Sequence, residues 1–300
     1  MVSHKPSISI LIRTENEERF IGKTLSAIFD QEIELPFEVI VIDSGSTDRT
    51  LKIVRKFNVR LYEIESDKFS FGYALNYGSE LAMGEFIVNL SAHCIPVDSK
   101  WLANLLAPLL SDPYVAATYG NQVPITGLNP FEERSLIANF GYNGEAHFSN
   151  ANCAIRKSIW EKYPFDEKAI FAEDFIWSQL LPSEFKIKYV PTAAVYHSHP
   201  LTFKYWSKRY YDTGLVIQYM AYVYGLVYPS SRESQNHFVK FAILQRNLRT
   251  VWNYFIFLVK YKYIRYIPIS PIFFILKHYY LHKGIKQGKR LYGPSKCQGR

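Results

Sequence analysis

Four short apolar runs, rich in β-branched residues, dominate the first third of the chain: "SISILI" (7–12), "FEVIVID" (37–43), "VRLYEI" (59–64) and "EFIVNL" (85–90). Helical patterns separate them. "EERFIGKTLSAIFDQ" (17–31) sets Phe20, Ile21, Leu25 and Ile28 at helical spacing, and "RTLKIVRKF" and "GYALNYGSELAMG" read the same way. Asp48 opens the second of these, where the helix dipole favours an acid. Strands that are apolar along their whole length have no solvent face, so they belong in a parallel sheet covered on both sides by helices. An α/β fold follows, and in such folds ligands bind beyond the strand ends. The fourth run continues as "VNLSAHCIPVD" (88–98) and stops at Ser91, His93 and Cys94, just before a proline. A metal ligand, a catalytic base and a plain strand terminus all suit a histidine in that place.

Beyond residue 100 the patterns mix. "FSNANCAIRKSIWEKY" (148–163) predicts a short strand running into a helix, "AEDFIWSQLL" (172–181) a helix start with two carboxylates in its first turn, and "FKIKYVPTAAVYHSH" (185–199) a strand. From Thr202 the sequence turns aromatic and basic. We expect an α/β domain over 1–205 and a helical, basic region over 206–300.

Charge separates the same two parts. The net charge is +8, yet Ser234–Arg300 holds 13 Lys or Arg and no Asp or Glu, which leaves 22 basic against 27 acidic residues, a net of −5, in 1–233. A basic tail on an acidic body points to a polyanionic surface as partner for the tail alone. Its apolar stretches (251–259 and 267–276) are too short to span a bilayer, which takes ~20 residues. Aromatics interleaved with Lys and Arg fit a segment lying among the headgroups of an anionic membrane; a basic helical packing domain is the alternative. The apolar content is too high for a groove-binding arm, so no nucleic-acid partner is expected. The three cysteines, Cys94, Cys153 and Cys297, form no CxxC pair, which argues against a disulfide framework or structural zinc and suits a reducing compartment. The start "MVSHKPSISILIRTEN" has no long apolar stretch before its charges, so no secretory leader is expected.

Several stretches then read together. "SISILIRTENEERFIGKTLSAIFDQ", "FEVIVIDSGSTDRT", "YALNYGSELAMGEFIVNLSAHCIPVD", "FSNANCAIRKSIWE" and "AEDFIW" occur in an order that resembles the inverting family 2 glycosyltransferases of the GT-A fold, over about residues 5–200. The flavour is that of the bacterial rhamnosyltransferase-like group that builds surface polysaccharides. The resemblance implies a sugar-nucleotide donor (UDP- or dTDP-linked) across the strand ends, with its nucleotide half near Thr14, Glu15, Asn16, Asp43 and Ser44, and Asn76 close to the donor. Asp43 can accept the imide N–H of a uracil or thymine ring; a turn-capping aspartate before "SGST" is the other reading.

Relatives carry Asp-x-Asp at the fourth strand end to hold a divalent cation against the donor diphosphate. Here that place is taken by Ser91, Ala92 and His93. An imidazole ligates Mn²⁺ better than Mg²⁺. In several relatives a histidine about two dozen residues beyond the catalytic carboxylate completes the metal shell, and the resemblance gives that place to His197 or His199, 23 and 25 residues beyond Asp174, which face one side of an extended segment. A metal-free variant, with His93 neutralising the diphosphate directly, stays open. Inverting transfer takes one carboxylate as base. Asp174, beside Glu173, holds that place by resemblance; a helix cap is the plainer use of the pair. Asn150, Asn152 and Trp177 are candidates for sugar or acceptor contact.

The implied enzyme adds a sugar to a lipid-linked saccharide at the cytoplasmic face of the cell membrane. A binding protein that has lost catalysis is the alternative, favoured by Ser91 in place of an aspartate. A nucleotidyltransferase is disfavoured, because "RTENEERF" lacks the glycine-rich loop expected after the first strand.

Overall fold

A computed structural model describes residues 6–140, 147–226 and 251–293. Residues 234–250 and 294–300 of the basic tail, with Cys297, lie outside the described residues. The chain divides into two compact units, one of Met1–Ile125 with Leu136–Ser198, the other of Thr126–Ser135 with His199–Arg300.

The first unit is built on one eight-stranded sheet: β1 (Ile8–Thr14), β2 (Phe37–Asp43), β3 (Arg60–Glu63), β4 (Phe86–Ser91), β5 (Ile95–Pro96), β6 (Val115–Pro124), β7 (Asn152–Arg156) and β8 (Lys186–His197), in the order β3-β2-β1-β4-β7-β6-β8-β5. The four predicted strands make the parallel half, β3-β2-β1-β4. The chain winds outward from β1 to β3 and then returns to the other side of β1. That reversal puts a crevice between the carboxyl ends of β1 and β4, the usual place for a ligand. The other half is mixed: β7 pairs antiparallel with β4 and β6, β8 runs parallel to β6, and β5 closes the edge antiparallel to β8.

Alternation along the strands supplies two cores. Ile8, Ile10 and Ile12 of β1, Val39 and Val41 of β2 and Val88 of β4 face α1 (Ile21–Phe29) and, through the same cluster, α4 (Trp101–Ser111). Leu11, Ile40, Ile42 and Ile87 point the other way, into a cluster with Ala74 and Leu75 of α3 (Phe71–Leu81) and with Ile159 and Trp160 of α6 (Lys157–Trp160). Each such aliphatic side chain contributes ~1.5–3 kcal/mol when fully buried. The short helix α2 (Thr50–Val54) follows β2. Helix α5 (Pro130–Phe140) begins in the second unit and ends in the first, and α7 (Glu173–Leu180) precedes β8.

The second unit holds α8 (Phe203–Val223), a helix over residues 251–260 (α9), a 3₁₀ turn at Ile264–Tyr266 and α10 (Ser270–Tyr292). Two glycines let α8 and α10 touch backbone to backbone. A Cβ on Gly284 would stand 2.0 Å from the Tyr211 carbonyl oxygen, and one on Gly214 2.3 Å from that of Leu281. Phe131 of α5 anchors the rest, stacked on Phe273 at 4.4 Å and beside Tyr254, while the Glu133 carboxylate accepts the Tyr263 hydroxyl at 2.8 Å. Among the described residues no helix is long and apolar enough to cross a membrane.

Candidate active site

Strand register sets the floor of the crevice, with Arg13 of β1 beside Ser91 of β4. Past β4 the chain turns, burying Ala92 and presenting His93. His93 Nδ1 lies 2.7 Å from Glu17 Oε1, and its Nε2 lies 3.1 Å from His197 Nε2. His197, the last residue of β8, has its own Nδ1 2.6 Å from Gln122 Oε1 on the neighbouring β6. A carboxylate and an amide carbonyl both accept, so each Nδ1–H donates and the two Nε2 atoms face each other. Two lone pairs at that distance repel unless a proton or a cation lies between them.

The donor set suits a metal. Histidine ligands in metal sites donate their other N–H to an oxygen, which fixes the tautomer and the ring direction. The two Nε2 atoms, 3.1 Å apart, are close enough to be ligands of one ion. His199 lies in the second unit, where Glu132 accepts its N–H and faces its Nδ1, both at 2.6 Å, and Tyr205 stacks on the ring at 5.0 Å.

The carboxylate pair opens α7. Ala172, just before it, adopts the left-handed conformation (φ 64°), strain of a kind that collects at functional sites. Asp174 is half-buried; it accepts the Asn150 N–H at 3.1 Å and the Phe175 N–H at 2.8 Å. Glu173 is only 4% exposed. Its Oε1 accepts from Asn150 Nδ2 at 3.2 Å and lies 3.8 Å from Arg13 Nη1. Burial, then the neighbouring Asp174 charge, pushes the Glu173 carboxyl up to about 7, against the pull of Arg13 and Asn150. Asn150 Oδ1 in turn accepts from Asn89 Nδ2 on β4 at 3.1 Å, so a buried polar chain runs Asn89–Asn150–Glu173–Arg13. Arg13 Nη1, Thr14 Oγ1 and Asn89 Oδ1 are buried and have no hydrogen-bond partner among the described residues. Such atoms are rare in folded proteins, and here the first two end β1 at the mouth of the crevice.

The first two strand ends are tied together. Asn16 (φ 54°) accepts the N–H groups of Thr47 and Asp48 on its Oδ1, and its own N–H reaches Ser46 Oγ at 2.9 Å. Ser44 donates to the Thr14 carbonyl, and Glu15 is exposed beside it. Asp43 is the turn cap that the alternative reading describes: it accepts from the Gly45 and Ser46 N–H groups and the Ser46 hydroxyl.

Four residues expected in ligand contact are packed instead. Asn76 accepts from Trp160 Nε1 and the Phe165 N–H and donates to the Phe165 carbonyl and Glu167, so its amide clamps α3 to the segment after α6. Trp177, 3% exposed, lies between Phe148 and Phe165 and donates to the Tyr163 carbonyl. Asn152 accepts from Trp101 Nε1 and donates to the Asn121 and Ala193 carbonyls, tying β7 to its neighbours. The Ala92 methyl is in the core, and its carbonyl accepts the Thr24 hydroxyl at 2.8 Å. In each case a tertiary partner takes the group that sequence reasoning left for a ligand.

The comparisons decide the family. The description "Glycosyl transferase family 2" matches residues 9–164, more than half of the chain. The chain belongs to glycosyl transferase family 2. The O-antigen chain rhamnosyltransferase RfbN of Salmonella typhimurium is 31% identical over 228 residues, covering 69% of this chain and 71% of that one. A second O-antigen chain rhamnosyltransferase, WbaN of Salmonella anatum, is 29% identical over 229 residues, covering 70% and 72%. The mannosyltransferase PcManGT of Pyrobaculum calidifontis, solved with GDP-Man and Mn²⁺, is similar in structure at a TM-score of 0.62 and 17% identity, over 95% of this chain and 88% of that one. This likeness shows the fold, which is GT-A as the resemblance implied. The protein is a family 2 glycosyltransferase.

Sequence reasoning missed four residues of this glycosyltransferase site. Arg13 had a signal, a lone cation inside the apolar run "ILIRT". Glu17 had a weaker one, an acid in the loop after β1. Gln122 and Asn89 had none, because each acts through a partner more than fifty positions away.

Proposed function

We propose that this family 2 glycosyltransferase moves a sugar, of the rhamnose class, from a nucleotide-diphosphate donor to a hydroxyl of a lipid-linked saccharide in surface-polysaccharide assembly, with inversion at the anomeric carbon. The observation that carries the proposal is the half-buried Asp174, held by the Asn150 N–H beside a buried Glu173 whose carboxyl is pushed upward. The two relatives, named as O-antigen chain rhamnosyltransferases, support the sugar class and a role in surface-polysaccharide assembly.

The acceptor oxygen attacks the anomeric carbon from the face opposite the diphosphate. Its proton passes to Asp174 as the new C–O bond forms, and the sugar–phosphate bond breaks with its electron pair going to the diphosphate. Glu173 receives no proton in this step; it is anchored between Asn150 and Arg13 and keeps the first turn of α7 in place. His93 and His197 would hold a divalent cation. The cation, when bound, offsets the charge that develops on the diphosphate. Thr14, Asn16 and Ser44 line the turn assigned to the nucleoside, and the Asp43 cap keeps that turn in shape.

The test pairs binding with turnover. UDP, dTDP and GDP are titrated into the protein with and without Mn²⁺, and transfer is then measured with the nucleotide sugar that binds. Asp174→Asn is expected to keep nucleotide affinity and lose about 10²–10⁴-fold in kcat. Failure of all three nucleotides to bind would return the chain to the role of a saccharide-binding protein.

A further inference from the structure

In the second unit, α9 is apolar on nearly every side, "VWNYFIFLVK" over 251–260. Tyr254, Phe257 and Leu258 are buried against Phe131 and Phe274. Trp252, Phe255, Ile256 and Val259 recur at the i, i+3, i+4, i+7 spacing of a single helical face, and all four are exposed, Trp252 by 60%. In α10 the buried Phe274 has exposed neighbours at Ile272 and Ile275, the latter by 68%. An exposed apolar helix face of this kind marks an interaction site. Its charge says what the partner is: Val251–Gly293 contains no Asp or Glu and eight Lys or Arg. Lys260, at the end of α9, and Lys262 and Arg265, in the link that follows it, stand exposed.

We infer that the exposed α9 face, with the cations that follow it, is a docking surface for an anionic lipid bilayer, on which the helix lies in the headgroup plane with Trp252 and Ile256 among the acyl chains. A second copy of the chain would place like charges against each other, because the link beside the face has cations and no acids; phosphate headgroups supply the missing sign. Depth is limited by length, since no described helix can cross. The inference extends the proposed function, in which the acceptor is carried by a lipid, but its evidence is independent of the catalytic residues.

The full chain is sedimented with vesicles of phosphatidylcholine alone and of phosphatidylcholine mixed with phosphatidylglycerol, at low and high salt. Wild type is expected to bind the anionic vesicles and to be weakened by salt. Trp252→Ser with Ile256→Ser should weaken binding at least about tenfold. Lys260→Gln with Lys262→Gln and Arg265→Gln should remove about tenfold or more of the preference for anionic lipid. Retention of the wild-type melting transition and of nucleotide binding shows that the variants fold. Brominated lipid adds a readout that leaves the face apolar: it should quench tryptophan emission in wild type and less in Trp252→Phe. Vesicle binding equal in wild type and variants overturns the inference. So does a dimer in sedimentation velocity that the serine variant dissociates while vesicles capture neither form. Transfer to a soluble acceptor, measured alongside, tells loss of the docking surface from failure of the catalytic reading.

Discussion

His93 and His197 meet Nε2 to Nε2 at 3.1 Å, each with its Nδ1 turned to an oxygen acceptor, Glu17 for the first and Gln122 for the second. β4 and β8 bring the rings together from positions 104 residues apart. A proton or a cation between the facing Nε2 atoms relieves their lone-pair repulsion, and removing either ring removes the need for it. His93→Ala is expected to abolish the Mn²⁺ dependence of nucleotide binding in calorimetry. Gln122→Leu keeps both rings but frees one tautomer, and should cost about 10–100-fold in Mn²⁺ affinity. Unchanged Mn²⁺ affinity in both variants would leave the pair as a proton-sharing contact.

Glu173 governs a pH dependence. Its carboxyl is raised from 4.5 to about 7, so the folded chain binds this proton more tightly than the unfolded one. The resulting stabilisation is fully present below pH 4.5 and is lost as the pH rises through about 7. Glu173→Gln imitates the protonated form at every pH. Its melting temperature relative to wild type should therefore climb between these limits and level off above them. A difference that stays constant from pH 4 to 9, a range of roughly five units, would show an ordinary carboxylate.

Asn76 separates a clamp from a ligand contact. Asn76→Ala leaves Trp160 Nε1 and the Phe165 N–H buried without their acceptor, at a cost of about 2–4 kcal/mol. The expected result is a lower denaturation midpoint with nucleotide affinity within about twofold of wild type. Weakened nucleotide binding at unchanged stability would put Asn76 back beside the donor.

Gly284 tests the contact between α8 and α10. Alanine in an ordinary helix position gains about 1 kcal/mol over glycine, but here the new Cβ would stand 2.0 Å from the Tyr211 carbonyl oxygen. Overpacking should win, with Gly284→Ala destabilising the chain by about 1–3 kcal/mol in urea unfolding. A stabilised variant would mean that the helices separate at little cost.

The strands of the parallel half were legible because burial on both faces leaves a local mark, an unbroken apolar run. β2 spans the predicted residues, Phe37–Asp43, and β1 and β4 differ from prediction by one or two residues at their ends. β6, the strand that orients His197, left no such mark: "VAATYGNQVP" holds small and polar residues, and Gln122 near its far end faces His197 at the site. The pairing of Glu173 with Asp174 was visible as a motif. Its supports were not, because the Asn150 N–H comes from a loop 24 positions away and Arg13 from the first strand.

By itself the sequence determined the α/β class, the helices on both faces of the sheet, the acid pair at the start of α7 and the acid-free aromatic tail. All of these follow from the order of residue types over short windows, where period and charge act locally. Tertiary structure alone decided which polar groups are free to act. Asn76, Asn152 and Trp177 look as available in the sequence as Asn150, yet the first three spend their hydrogen bonds on core carbonyls, N–H groups and indoles, while Asn150 holds both carboxylates. A buried polar side chain takes whichever partner the fold places within about 3 Å, and that partner is chosen by strand order, which no local pattern encodes.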